Sequence, residues 1–178
     1  PSHFTWMDTN HPAGTPREGY PIEIQALWFA ALNLLAQIAP AADQARWHTL
    51  AGKVQASIRA LYFQEQTGYY ADCLHGAAGR PAAQCGPDDA LRPNQLFAIT
   101  MGAVTDRSHC EKILQACEAL LVPGAIRSLA DRPVDVPLAV YHREHLLNDP
   151  HNPYQGRYEG DEDTRRKPAY HNGTAWTW

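Results

Sequence analysis

Pro21-Ile22-Glu23-Ile24-Gln25-Ala26-Leu27-Trp28-Phe29-Ala30-Ala31-Leu32-Asn33-Leu34-Leu35-Ala36-Gln37-Ile38 decides the fold class. Ile24, Leu27, Trp28, Ala31, Leu34, Leu35 and Ile38 recur every three or four residues, the spacing of one helix face. Pro21 suits a first helical turn because its φ is already fixed, and Pro40 ends the helix. A second helix follows, with Asp43 as its candidate cap and Trp47, Leu50, Val54, Ile58, Leu61 and Tyr62 as its apolar stripe. Gly68-Tyr69-Tyr70 opens an irregular or hairpin stretch that runs to about Gly86.

A third helix is expected from near Pro93, with Leu96, Phe97, Thr100, Met101 and Val104 on its face. A fourth is expected behind the capping box Ser108 to Glu111, with Ile113, Leu114, Cys117, Leu120 and Leu121 as its stripe. Gly124 reads as its stop. Residues 125–170 read as loop, rich in proline and charge, and Thr174 reads as the start of another helix. The first helix of each pair is entered through a polar segment: Thr15–Gly19, Asp88–Gln95 and Tyr170–Thr174. These entries lie about 70–80 residues apart, the sign of a repeated helix-pair architecture. The fold expected is therefore all-α, built from helix hairpins.

Composition excludes several classes of function. The chain has 178 residues, 44% hydrophobic, with 15 basic and 19 acidic side chains and a net charge of −4. That balance gives neither nucleic acid nor an anionic membrane a basic surface to bind. No apolar run is long enough to span a bilayer. Pro1-Ser2-His3-Phe4 is no secretory leader, and a chain opening without Met reads as a piece of a longer protein. Cys73, Cys85, Cys110 and Cys117 form no CxxC pair and read as free thiols, which favours a cytoplasmic setting. His142, His145, Asp149 and His151 do not form HExxH, so no metal site and no cofactor is expected.

Four segments carry side chains suited to sugar chemistry. In Phe4-Thr5-Trp6-Met7-Asp8 a carboxylate follows a tryptophan. An apolar neighbour raises a carboxyl pKa by desolvation and keeps the proton available for a leaving oxygen, while the indole face stacks on a sugar ring. The bland alternative is an Asp capping a turn beside a core Trp. Glu23 and Gln25 could hydrogen-bond sugar hydroxyls; Glu23 equally suits a helix N-terminus on charge alone. Asp88, Asp89, Arg92, Asn94 and Gln95 form a dense polar set, either hydroxyl-binding or a cap with an ion pair. Tyr170-His171-Asn172-Gly173-Thr174, with Trp176 and Trp178, reads as a sugar platform or a core-packed helix start.

Taken in order, these stretches resemble the catalytic domain of glycogen debranching enzymes, the amylo-α-1,6-glucosidase family. The resemblance also includes Thr15-Pro16-Arg17, Leu91-Arg92-Pro93-Asn94-Gln95, Ile126-Arg127-Ser128-Leu129 and Tyr154-Gln155-Gly156-Arg157-Tyr158. It covers nearly the whole chain as one catalytic domain, residues 1–178, in part. It implies an (α/α)6 toroid and inverting cleavage of the α-1,6-linked glucose at a glycogen branch point. Asp8 matches the family's general acid. Trp6, Glu23, Arg92, Asn94, Gln95, His171 and Trp176 match its sugar pocket. The general base would lie downstream of the Tyr-His motif, beyond Trp178. Gln25, Asn172 and Thr177 depart from the residues usual in the family, and residues 132–153 form a longer loop. The partner implied is glycogen or a branched α-glucan. Other readings are a glucoamylase- or trehalase-like glycosidase, a non-catalytic α-glucan-binding module, and a helical scaffold.

Overall fold

A computed structural model describes residues 5–7, 15–142 and 144–177, without the side chains of 142 and 163. In chain order the elements are β1 (Gly19–Pro21), α1 (Ile22–Ile38), α2 (Ala41–Leu61), β2 (Phe63–Gln64), β3 (Tyr69–Tyr70), β4 (Cys73–His75) and β5 (Gly86–Pro87). Then come α3 (Leu96–Thr100), α4 (Arg107–Glu118), β6 (Leu121–Val122), β7 (Ala125–Arg127), β8 (Tyr141–His142), β9 (His145–Leu146), a π-helix (Glu162–Arg166), α5 (Lys167–Tyr170) and β10 (Ala175–Trp176). They divide into two units. One comprises residues 18–87 and 94–116, the other residues 1–17, 88–93 and 117–178.

The all-α expectation, with its (α/α)6 toroid, is thereby corrected. Among the described residues the chain is mixed, with two three-stranded and two two-stranded antiparallel sheets. The strands escape sequence reading because each is two or three residues long. Alternation becomes legible only over about four to eight residues. Nor does the second helix pair repeat the first. Helix α3 stops after five residues. Gly102 there takes a φ of +76°, and the N–H of Val104 turns back to the carbonyl of Ala98 at 2.8 Å.

In the first unit α1 and α2 pack as a helical hairpin through Ala39 and Pro40. Ile22, Ala26, Phe29, Leu32 and Ala36 are the apolar residues that α1 buries. The stripe read from the sequence faces the other way: Leu27, Trp28, Leu34 and Ile38 are exposed. A helix apolar on all sides offers periodicity on more than one face, and packing chooses between them. The stripe of α2 holds, with Ile58 buried and Trp47, Leu50 and Val54 half-buried. Strand β1 pairs with β4 and β4 with β5. The N–H of Ile22 donates to the carbonyl of Asp72 at 2.9 Å, tying the start of α1 to that sheet. Asp106 caps α4 in place of Ser108, its carboxylate accepting from the N–H of His109 at 3.1 Å. Glu111 instead pairs with Arg107 on the helix surface at 2.7 Å.

The second unit is organised on Ala90, Leu129, Val134 and Leu138, with Tyr154 packed against them. Between Ala130 and the π-helix the short hairpin of β8 and β9 is the regular structure among the described residues, and the segment is strapped by side chains. Asp89 accepts from the N–H groups of Asp135 and Val136 at 2.7 and 3.1 Å. Asn148 accepts from Val140 N–H at 2.9 Å and donates to the Leu138 carbonyl at 2.8 Å. Gly124, read as a helix stop, sits at φ +75° between β6 and β7. Thr174 starts no helix. Its carbonyl accepts from both the N–H and the hydroxyl of Ser128 at 3.1 and 2.9 Å, and β10 pairs with β7. No helix among the described residues is long and apolar enough to cross a membrane.

Candidate active site

Tyr170 to Thr177 forms one wall of an open cleft. The cleft has a volume of about 270 Å³ and is lined by Trp6, Tyr170, His171, Trp176 and Thr177. Its rings meet edge to face or tilted. Trp6 and His171 lie 5.2 Å apart at 76°, Tyr170 and His171 4.6 Å at 88°, and Tyr170 and Trp176 4.4 Å at 54°. Such tilted contacts suit the ring quadrupoles and hold each plane in place. The indole N–H of Trp176 donates to the Tyr170 carbonyl at 3.0 Å, which fixes that ring further. Trp6 stays 42% exposed, so part of its surface remains available to a ligand.

The backbone of this wall is held from beneath by Arg92 and Ser128, both buried. Arg92 donates to the carbonyls of Ser128, at 3.1 Å, and of His171, and to Oδ1 of Asn172 at 2.8 Å. Ser128 Oγ accepts from the N–H of Gly173 at 3.0 Å. Asn172 donates to the Pro168 carbonyl at 2.6 Å, and its own carbonyl accepts from Gln155 N–H at 2.6 Å. Arg92, Ser128 and residues 171–174, each from a different stretch singled out in the sequence, therefore converge. Ser128 was quoted only within its segment. A single serine carries no sequence signal that its hydroxyl will serve two backbone groups.

The predicted site residues fall into three groups. Trp6, His171 and Trp176 come together at the cleft, and Arg92 supports it. Glu23, Asn94 and Gln95 belong to the other unit, where all three are buried. There Asn94 donates to a carboxylate oxygen of Asp72 at 2.8 Å, and Gln95 Oε1 accepts from Tyr70 N–H at 3.2 Å. Asp72, itself buried, is a member of that polar set which the sequence reading missed. Asp8 lies outside the described residues; Met7, next to it in the chain, is fully buried. Among the described residues no group of three His, Cys, Asp or Glu side chains could hold a metal ion.

The sequence model of the amylo-alpha-1,6-glucosidase family matches residues 2–178. The chain belongs to that family. No curated protein matches it. As a family member it has a glycoside hydrolase kind of domain, and the family implies a glucan substrate. Aromatic faces beside a histidine suit a sugar ring, which presents C–H faces and hydroxyl edges together.

Proposed function

We propose that this chain carries the acid half of an inverting α-1,6-glucosidase that releases glucose from branch points of glycogen-like α-glucans. The observation that carries this reading is the cleft of Trp6, Tyr170, His171 and Trp176, with Asp8 two residues beyond Trp6 in the sequence. The aromatic rings hold one glucose unit. Asp8 donates its proton to the glycosidic oxygen. A second carboxylate, which the resemblance puts downstream of the Tyr-His motif, activates water on the opposite face. Inversion needs the two roughly 6.5–9.5 Å apart to leave room for that water. Arg92 acts in this reading through the His171 loop. A reducing, cytoplasmic compartment fits the four free thiols.

The test is a proton NMR time course of glucose release from a branched limit dextrin by the full natural polypeptide. β-Glucose as the first product supports the reading. α-Glucose first would remove the inverting mechanism, and no release at all would remove the activity. A non-catalytic glucan-binding role would then be left, with the same cleft holding sugar without cutting it.

A further inference from the structure

The line of rings continues past the cleft. Tyr158 meets Tyr170 edge to face, with centroids 5.5 Å apart at 66°. Tyr158 keeps 47% of its surface exposed. The guanidinium carbon of Arg166 lies 5.7 Å from the centre of the Tyr158 ring, within cation–π range. Arg166 is itself held, donating to the carbonyl of Gly160 at 3.0 Å and lying 3.4 Å from the carboxylate of Glu162. It closes the π-helix Glu162–Arg166, whose entry is capped by Asp161 accepting from Thr164 N–H at 2.8 Å. Such wide turns are rare and cluster at functional sites. A solvated loop needs none of this. Here the turn, its cap and the two backing contacts bring a guanidinium to an exposed ring that touches the cleft wall.

We propose that Tyr158, backed by Arg166, is a second sugar-stacking platform, taking a glucose unit of the α-glucan chain that bears the branch. This rests on the α-glucan reading above. A cleft of about 270 Å³ is smaller than the range usual for drug-sized ligands and suits a single sugar ring. A polymeric substrate must then continue over the protein surface, and Tyr158 is the ring next to the cleft wall. The C–H face of a pyranose covers the phenol ring, and the guanidinium holds that ring in place.

The experiment is calorimetric titration of the full natural polypeptide and its Tyr158→Ala and Tyr158→Phe variants with two ligands. One is a monosaccharide-sized glucose-mimicking iminosugar, the other a branched limit dextrin. Loss of the platform lowers the ratio of dextrin to iminosugar affinity by about tenfold in Tyr158→Ala, the upper end for one aromatic contact. Tyr158→Phe keeps the ring and restores most of the ratio. A circular dichroism spectrum unchanged from wild type shows that each variant is folded. If the wild type binds both ligands and Tyr158→Ala leaves the ratio unchanged, the platform is overturned while the α-glucan reading stands. If the wild type binds neither ligand, both are overturned.

Discussion

Nη2 of Arg92 lies 2.8 Å from Oδ1 of Asn172, with both side chains buried. The same guanidinium reaches the carbonyls of Ser128 and His171, so one cation gathers two chain segments under the cleft wall. A planar fork serves three oxygens at fixed angles, which an ammonium cannot copy. Arg92→Lys is expected to cost about 1.5–3 kcal/mol of stability, the range for hydrogen bonds to a charged group. Urea unfolding followed by tryptophan fluorescence checks this. An unchanged midpoint would mean that the guanidinium contributes nothing net.

Gly173 is the tightest point of that wall. Its φ of +136° is one that L side chains rarely adopt, and a Cβ there would lie 2.5 Å from the Tyr154 ring. Gly173→Ala is therefore expected to lose more than the roughly 1–3 kcal/mol of backbone strain alone. Ser128→Ala should lose less, about 1–3 kcal/mol, because it leaves the Gly173 N–H buried without its acceptor. Chemical denaturation of the two variants beside wild type gives the order directly.

Acid weakens the fold through at least two carboxylates. The N–H of His109 holds the Asp106 carboxyl below its ordinary pKa. The Asn152 side chain, aided by the His151 N–H, does the same for Asp149. Both folded values lie below the unfolded value of 3.8, so the stability they add is complete above that pH. It is lost as pH falls through the folded values. Asp106→Asn is expected to narrow the fall in urea midpoint between pH 7 and pH 3. A fall as large as in wild type would show that the helix cap carries no part of the acid sensitivity.

The four thiols differ in access. Cys73 and Cys117 are buried, and burial pushes the Cys117 pKa up to about 12. Cys85 and Cys110 are half-buried. Iodoacetamide at pH 8, read by peptide mass spectrometry, should label Cys85 and Cys110 well before Cys73 and Cys117. Early labelling of Cys117 would contradict the packing of α4.

The motifs were legible where the sequence clusters unusual side chains, as in Tyr170-His171 with Trp176, because aromatics that dense leave few arrangements. The helical hairpin of α1 and α2 was legible from its length and its prolines. The buried face of α1 was not, since Phe29 and Leu32 are as apolar as Leu27 and Leu34 and only packing separates them. The short strands were hidden for a related reason. Residues 175–176 pair with β7 because Ser128 occupies the carbonyl of Thr174, a tertiary contact that no local propensity announces. Arg92 read as a hydroxyl binder; in the fold it donates to the carbonyls of Ser128 and His171 and to Asn172.

The central claim is that Asp8 supplies the proton to the glycosidic oxygen. Its most direct test is the rate of glucose release from a branched limit dextrin by the full natural polypeptide and by its Asp8→Asn variant, with limit-dextrin affinity measured alongside. Loss of a general acid predicts a fall in kcat of about 10²–10⁴-fold with affinity retained. An Asp8→Asn protein that releases glucose at the wild-type rate would contradict the claim.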